Sequence, residues 1–530
     1  FGSSPSRLGC RCGPIPLACG FDRHPRLLQG VFSSQPPMKA DSKGSSAITS
    51  TLVPAGASAI VFAGILIRRW WKNRKAPPQF TTCFGLPLVG PIIQFLMEPR
   101  DLIKKGYQKH GECFKVDFGA KEMIFLVGTE GQEFFCTMDK YLDQAKMYAF
   151  TIPIFGPKVL YDTDYSTRMS QLRFIRERLT DDCLGSYVGT LEEEVRQFFD
   201  EVWPGAQGEV CIRKSMIECL SRTSIRCLMG PELRSKMHTA TDGHTICELL
   251  NILEQGMLPL SVFMPNLPIP RHRARDSARK EMHRFLMPIL EERRKRLAKG
   301  EVKEDDFLWK VMNAAYPDGR PVTDEEIVGF LVAAFFGGMH NSSITTSWST
   351  LEIFSRPELV KELQQEQKEA LGGGGPDAPF AFESYQKMKK LRSVVMEVLR
   401  LHPPLMLLMR TVEADVDFKN YTFPRGSVVA MSPNVAGRLA ESFPDPDEFK
   451  PGRFLNGVPS EFAYIPFGGG RRLCKGQEFG FLQVMCVISH MLRMFELKTP
   501  DGVPSETIGE GMVIAPSQPC RVQYRRTAAA

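Results

Sequence analysis

Apolar residues recur at three- and four-residue intervals over residues 189–203, 276–299, 323–355, 357–371, 383–401 and 475–495, with polar positions between them. This spacing predicts six amphipathic helices. Strand-like alternation is confined to short pieces: CFKVDF at 113–118, MIFLVG at 123–128, SVVAM at 427–431 and CRVQY at 520–524. The balance predicts a mainly α fold with a minor sheet. The longest helical stretch starts with Thr323 followed three residues later by Glu326, the pattern of a capping box. Its apolar run is then broken by Gly337-Gly338 and the polar residues His340, Asn341, Ser342 and Ser343. Each mid-helix glycine costs about 1 kcal/mol relative to alanine. Either a ligand approaches the backbone closely here, or the glycines form a packing notch between helices.

The amino end has a different pattern. Residues 47–67 contain no charge, and these 21 positions approach the ~20 that a bilayer-crossing helix needs. Arg68, Arg69, Lys72, Arg74 and Lys75 follow beside Trp70 and Trp71, the flank expected on the cytosolic side of an anchor. A cleaved signal peptide is the alternative reading. Residues 1–46 form a leader, disordered, targeting or untranslated, with Met38 as a candidate start. Residues 68–91 form a basic, proline-rich connector, and residues 92–526 one large domain. GGGGPDAP at 372–379 reads as a surface loop. With 43% hydrophobic and 24% charged residues and a net charge of +7, the chain is globular in composition. The modest charge gives no general case for nucleic-acid binding. The 14 cysteines are scattered without a CxxC pair, so reduced thiols are expected.

One cysteine stands apart. FGGGRRLCKG at 467–476 puts Cys474 after a run of three glycines and just before the apolar helix that begins near Gly476. A metal-binding cysteine must be a thiolate, and backbone N–H groups in a tight turn and at a helix start stabilise that charge. Arg472, two residues away, suits a carboxylate such as a haem propionate. A single thiolate without a second soft ligand nearby excludes a tetrahedral zinc site and suits an axial haem ligand.

At Phe467, Gly470, Arg472, Cys474 and Gly476 the chain resembles the haem-binding pattern of cytochromes P-450. The resemblance extends to Glu397-Val398-Leu399-Arg400 and to PGRF at 451–454, whose Arg453 would complete an ion network with Glu397 and Arg400. It covers residues 77–526. MYAFTIPIFGPKVLYDTDYSTRMSQLRF at 147–174, GGMHNSSITTSW at 337–348, LRLHPPLMLLMR at 399–410 and SPNVAGRLAESF at 432–443 resemble the sterol 14α-demethylase branch, particularly its plant and algal members. The likeness implies the cytochrome P-450 fold behind a single transmembrane anchor. It also implies a haem b whose iron takes Cys474, O2 as co-substrate, and electrons from NADPH through a membrane-bound reductase. The substrate would be a sterol precursor, and the location the endoplasmic reticulum membrane with the catalytic domain cytosolic. By the same likeness Tyr148, Tyr161, Arg410 and Arg472 would surround the haem propionates. Phe150, Phe155, Ala333, Phe336, Leu405, Leu407, Met409 and Met512 would line the sterol cavity, and His340, Asn341 and Ser342 would serve catalysis. Read as residues alone, the cavity set is indistinguishable from core.

Two positions depart from the pattern. The branch has His-Thr where this chain has His340-Asn341, and an amide is a poorer proton relay than an alcohol. The family has glycine where this chain has Lys158. The implied activity is removal of a sterol 14α methyl by successive oxygenations. The alternatives are an oxygenase of the same fold acting on another apolar substrate, and a non-oxygenating haem-thiolate isomerase or dehydratase. Phe150 implies a preference for 4α-monomethyl sterols such as obtusifoliol over dimethyl ones, because a phenyl ring would occupy the volume of the second methyl.

Overall fold

The computed structural model describes residues 75–81, 89–118, 122–240, 243–262, 264–301, 306–373, 375, 378–508 and 513–527. The expected anchor at 47–67 and Met512 lie outside them.

Helices dominate, and their ends follow local chemistry. The capping box forms: Thr323 accepts from the Glu326 N–H, and Glu326 reaches back to the Thr323 N–H at 2.8 Å. From there one helical rod, Asp324–Phe354, passes through the middle of the protein. By length and apolarity it could cross a membrane, but 72% of its most apolar window is buried by protein, so it is the core helix. Its second half is rich in hydroxyls. Thr345, Thr346, Ser347, Ser349 and Thr350 each donate to the carbonyl four residues back, so they sit in the core without orphaned groups.

The expected helix over 383–401 is two helices, Phe382–Lys387 and Lys389–Leu401. The reason is tertiary. Glu366, on the helix Pro357–Ala370, accepts from the Lys390 and Leu391 N–H groups and so caps the second helix from outside its own sequence. Helices at 99–110, 129–137, 165–176, 212–224 and 246–255 complete this layer. The last starts with its own capping box, Thr245 with Glu248.

The main sheet orders its strands Cys113–Asp117, Glu122–Leu126, Val428–Met431, Leu408–Val412, Leu142–Asp143. Only the pair of Glu122–Leu126 with Val428–Met431 is parallel. Within the stretch read as a connector, Phe80 donates to the Lys115 carbonyl and Lys115 donates to that of Pro78, which ties this segment to the sheet edge. Residues Val89–Met97 form a helix. Leu408–Val412 pairs with Val428–Met431 through Met409 opposite Ala430 and Arg410 opposite Val429. That pairing fixes where Arg410 enters the site. A second sheet joins Gln207–Cys211, Arg521–Arg526 and Phe495–Lys498 beside the end of the helix that follows the Cys474 loop, Gln477–Met494.

Candidate active site

The cysteine loop is built by close backbone approach. Gly468 and Gly470 have φ of 73° and 62°, in the left-handed region that favours glycine. A Cβ on Gly470 would stand 2.4 Å from the Cys136 carbonyl oxygen, and one on Gly469 would stand 2.9 Å from its sulfur. The turn closes when the Cys474 N–H donates to the Phe467 carbonyl at 3.0 Å, and Phe467 packs on Phe481 of the following helix. The Gly476 N–H points to the Cys474 sulfur. Cys474 is the most exposed cysteine among the described residues, yet the crowd of protein around it pushes its thiol up. The two facts agree if the sulfur opens onto a walled cleft. In such a place a thiol stays protonated unless a metal cation replaces the proton.

A cluster of charges lies beside it. Arg472 reaches Asp139 at 3.1 Å and Asp143 at 3.5 Å; Arg168 holds Asp143 at 2.5 Å; Arg410 lies 3.6 Å from Asp139 and donates to the Phe135 carbonyl. Three buried guanidinium groups thus face two carboxylates. Burial, with Arg472 adding repulsion, pushes Arg410 down to about 10. Arg472 Nη1 and Arg168 Nε and Nη1 are buried with no hydrogen-bond partner. Unpaired buried cationic donors are costly, and a dianionic ligand would remove the cost.

Tyr161 stacks on Tyr148 at 5.1 Å, and Tyr148 lies 6.0 Å from Phe150. Burial pushes both phenols up, and Tyr161 also lies close enough to feel Tyr148, Arg168, Arg472 and Cys474. The Met409 N–H reaches the Tyr148 hydroxyl, which ties the tyrosine pair to the strand carrying Arg410. The segment is strained. Lys158 and Leu160 hold φ of 59° and 47°. Lys158 therefore adopts the conformation for which glycine is suited, and its N–H is held by Asp162 at 2.9 Å.

On the central helix, residues Phe336–His340 form a π turn, the feature behind the odd glycine pair. Gly337 is exposed in an otherwise buried stretch, and a Cβ there would meet nothing within 4 Å. Phe336 meets Phe155 edge-on at 6.3 Å, with Ala333 one turn earlier and half-buried. Leu407, Met409 and Tyr148 pack against one core cluster, while Leu405 stays 36% exposed where Pro404 and Leu405 pair with Val513 and Ile514. His340 is buried with Nδ1 3.3 Å from Glu254, although neither ring nitrogen makes a well-aligned hydrogen bond. Asn341 is half-buried. Ser342 is buried, with its hydroxyl 3.7 Å from the Cβ position of Gly480. His340 and Ser342 therefore face different neighbours, Glu254 and the helix Gln477–Met494.

Farther away, Arg400 grips Glu397 at 2.7 and 2.8 Å, and Arg453 joins Glu397 at 3.1 Å. Arg168, Asp139, Asp143 and Glu254 were not foreseen from sequence. Nothing local marks them, since no charged partner lies within a helical turn: Arg168 and Asp143 are 25 positions apart, and Asp143 and Arg472 are 329.

The cytochrome P450 family model matches residues 78–524. The chain belongs to the cytochrome P450 family. It is 37% identical to the sterol 14-demethylase of Arabidopsis thaliana, over 86% of this chain and 92% of that protein. The obtusifoliol 14-alpha demethylase of Triticum aestivum is 35% identical, over 85% and 98%, and the lanosterol 14-alpha demethylase of Homo sapiens 30%, over 85% and 87%. These relatives put this cytochrome P450 in the sterol 14-demethylase branch. The solved retinoic acid bound cyanobacterial CYP120A1 shares the fold with a TM-score of 0.73 at 23% identity, over 85% of this chain and 99% of that one. Cytochromes P450 use a haem with a cysteine thiolate ligand, O2, and electrons that a reductase takes from NADPH. The residues present fit that group: one sulfur in a walled cleft, a helix bared at Gly337, and unpaired arginine donors for two propionates.

Proposed function

We propose that this cytochrome P450 removes the 14α methyl of a sterol precursor by successive oxygenations, with a 4α-monomethyl sterol of the obtusifoliol type preferred. The observation that carries this is the meeting of the Cys474 sulfur and the arginine cluster at the stacked pair Tyr148 and Tyr161, in a chain 37% identical to a sterol 14-demethylase. When bound, the haem supplies oxygen activation. Cys474 would ligate its iron, with the Gly476 N–H steadying the sulfur charge. Arg472, Arg410 and Arg168 would hold its propionates, with Tyr148 and Tyr161 beside them. Phe150, 6% exposed, bounds the sterol's 4 position, where one extra carbon in a close-fitting apolar site costs ~1–3 kcal/mol.

Proton supply falls to the central helix. The buried Glu254 stands 3.3 Å from His340 and so sets a carboxyl and an imidazole between the helix Ile246–Gln255 and the π turn. Asn341, which cannot pass a proton as an alcohol does, positions a water there instead. The uncharged run at 47–67 and its basic flank anchor the protein in the endoplasmic reticulum membrane with the haem domain cytosolic, where it meets its NADPH-dependent reductase.

The test is reconstitution with reductase, NADPH and O2. Obtusifoliol should yield formate and the demethylated sterol with a new ring double bond. Turnover of another apolar compound with none of any sterol would refute the reading.

A further inference from the structure

The wall residue Phe155 is held from outside the cavity by a device that no site motif contains. Arg279, on the helix Pro270–Ala298, is 8% exposed. Its Nη2 donates to the Phe155 carbonyl at 3.3 Å and to Glu325 at 2.9 Å. Glu325 belongs to the first turn of the central helix, and its other oxygen lies 2.9 Å from His283 Nε2, one turn along from Arg279. Three separate elements therefore meet at one guanidinium. Close packing surrounds it. Gly156, with φ of 95°, leaves the space the guanidinium fills, since a Cβ there would stand 2.5 Å from Nη2. Across the segment, a Cβ on Gly329 would stand 2.3 Å from the Phe155 carbonyl oxygen and 2.5 Å from Val159. Two glycines thus admit the Phe155 backbone between two helices, and Arg279 fastens it there. Burying a guanidinium is costly, and Nε has no partner. Packing alone would be served better by an apolar side chain, so the charge is retained for what it holds.

We infer that Arg279 is a positioning residue for substrate: by tying the Phe155 carbonyl to Glu325, it fixes the Phe155 ring against Phe336 and so sets the shape of the sterol cavity. This rests on the reading of that cavity as the sterol site. The arginine touches neither substrate nor haem. Its effect is on binding, through the order of residues 149–162.

The experiment compares wild type, Arg279→Met and Arg279→Lys as full-length haem proteins. Spectral titration with obtusifoliol should show the Met variant binding about tenfold more weakly. KM should rise in parallel, while kcat stays within about twofold, and Lys should restore most of the affinity. Amide exchange over 149–162 in ligand-free protein should be faster in the Met variant. Unchanged affinity together with unchanged exchange would overturn the inference. If Arg279→Met fails to bind haem, Glu325→Gln carries the same test: weaker sterol binding with faster exchange over 149–162 supports the latch, and no change in either overturns it. A wild-type protein that binds no sterol would instead overturn the functional reading, and the exchange comparison would still decide the latch.

Discussion

Two buried arginine clusters in this protein differ in one respect, completeness. Around Glu397, Arg400 makes five hydrogen bonds: two to Glu397 and three to the carbonyls of Gly437, Pro446 and Glu448. All five of its N–H donors are used. The Lys450 N–H at 2.7 Å and Arg453 complete the ring about the carboxylate. Around Asp139 and Asp143, three guanidinium groups share two acids, and several of their nitrogens have no partner. The closed cluster fastens the helix Lys389–Leu401 to the loops at 437–453. The open one has capacity left over, which is what a binding site for carboxylates requires. Buried charge by itself does not separate scaffold from site, and neither does a single orphaned nitrogen, as Arg279 Nε shows; what marks the open cluster is that the unspent donors of Arg168 and Arg472 gather around the same two acids, near Tyr161 and Cys474.

Breaking the closed cluster should have the largest effect. Glu397→Ala leaves two arginines buried without their anion and should cost about 3–5 kcal/mol of stability. Expression should then give little folded haem protein. A stable, fully loaded Glu397→Ala variant would show the cluster to be dispensable.

Opening the other cluster further should spare the fold and weaken the cofactor. Arg472→Leu leaves Asp139 and Asp143 partnered by Arg410 and Arg168, but removes donors to a propionate. At about 1.5–3 kcal/mol for hydrogen bonds to a charged group, haem transfer to an acceptor apoprotein should be faster by one order of magnitude or more, with a much smaller change in the thermal midpoint. Equal losses of fold and haem would erase the distinction between the clusters. Arg168→Leu should act in the same direction and tests a residue that no sequence motif assigned.

The clusters also show what was legible in sequence. Glu397 and Arg400 pair within one helical turn, and Cys474 sits in a loop whose glycines declare a constrained backbone, so both could be read locally. Asp139, Asp143 and Arg168 could not. Asp139 and Asp143 take their meaning from Arg410 and Arg472, hundreds of positions away, and Arg168 takes its own from Asp143, 25 positions back; each taken alone is an ordinary surface residue type. The same holds for the break at Met388, caused by Glu366 from a neighbouring helix. The helix Ile246–Gln255 is a different kind of omission. Its capping box, Thr245 with Glu248, was present in the sequence, and it carries Glu254 to His340. The glycine pair at 337–338 by itself leaves close approach and a packing notch equally open, and the π turn that exposes Gly337 needs the whole helix to define it.

Smaller effects sharpen the picture on the substrate side. Phe150→Leu should relax the preference for a 4α-monomethyl over a dimethyl sterol by roughly tenfold, read as the product ratio in a two-substrate competition. No change in the ratio would mean that the ring does not bound the 4 position. The smallest effect is expected at Lys158. Its φ of 59° is one that glycine adopts without strain, so Lys158→Gly should be neutral or stabilising by up to about 1 kcal/mol, despite the greater entropy of the unfolded glycine chain. A clear loss in the denaturation midpoint would show that the lysine side chain contributes something its exposure does not reveal.

The central claim is that Cys474 is the thiolate ligand of a haem held in this cleft. The most direct measurement is the absorption spectrum of the reduced, carbon monoxide-bound protein, compared between wild type and Cys474→His. Wild type should show the red-shifted band of thiolate ligation, and Cys474→His should lose it while haem remains in the cleft, held by the arginines. An unchanged red-shifted band in Cys474→His would contradict the account.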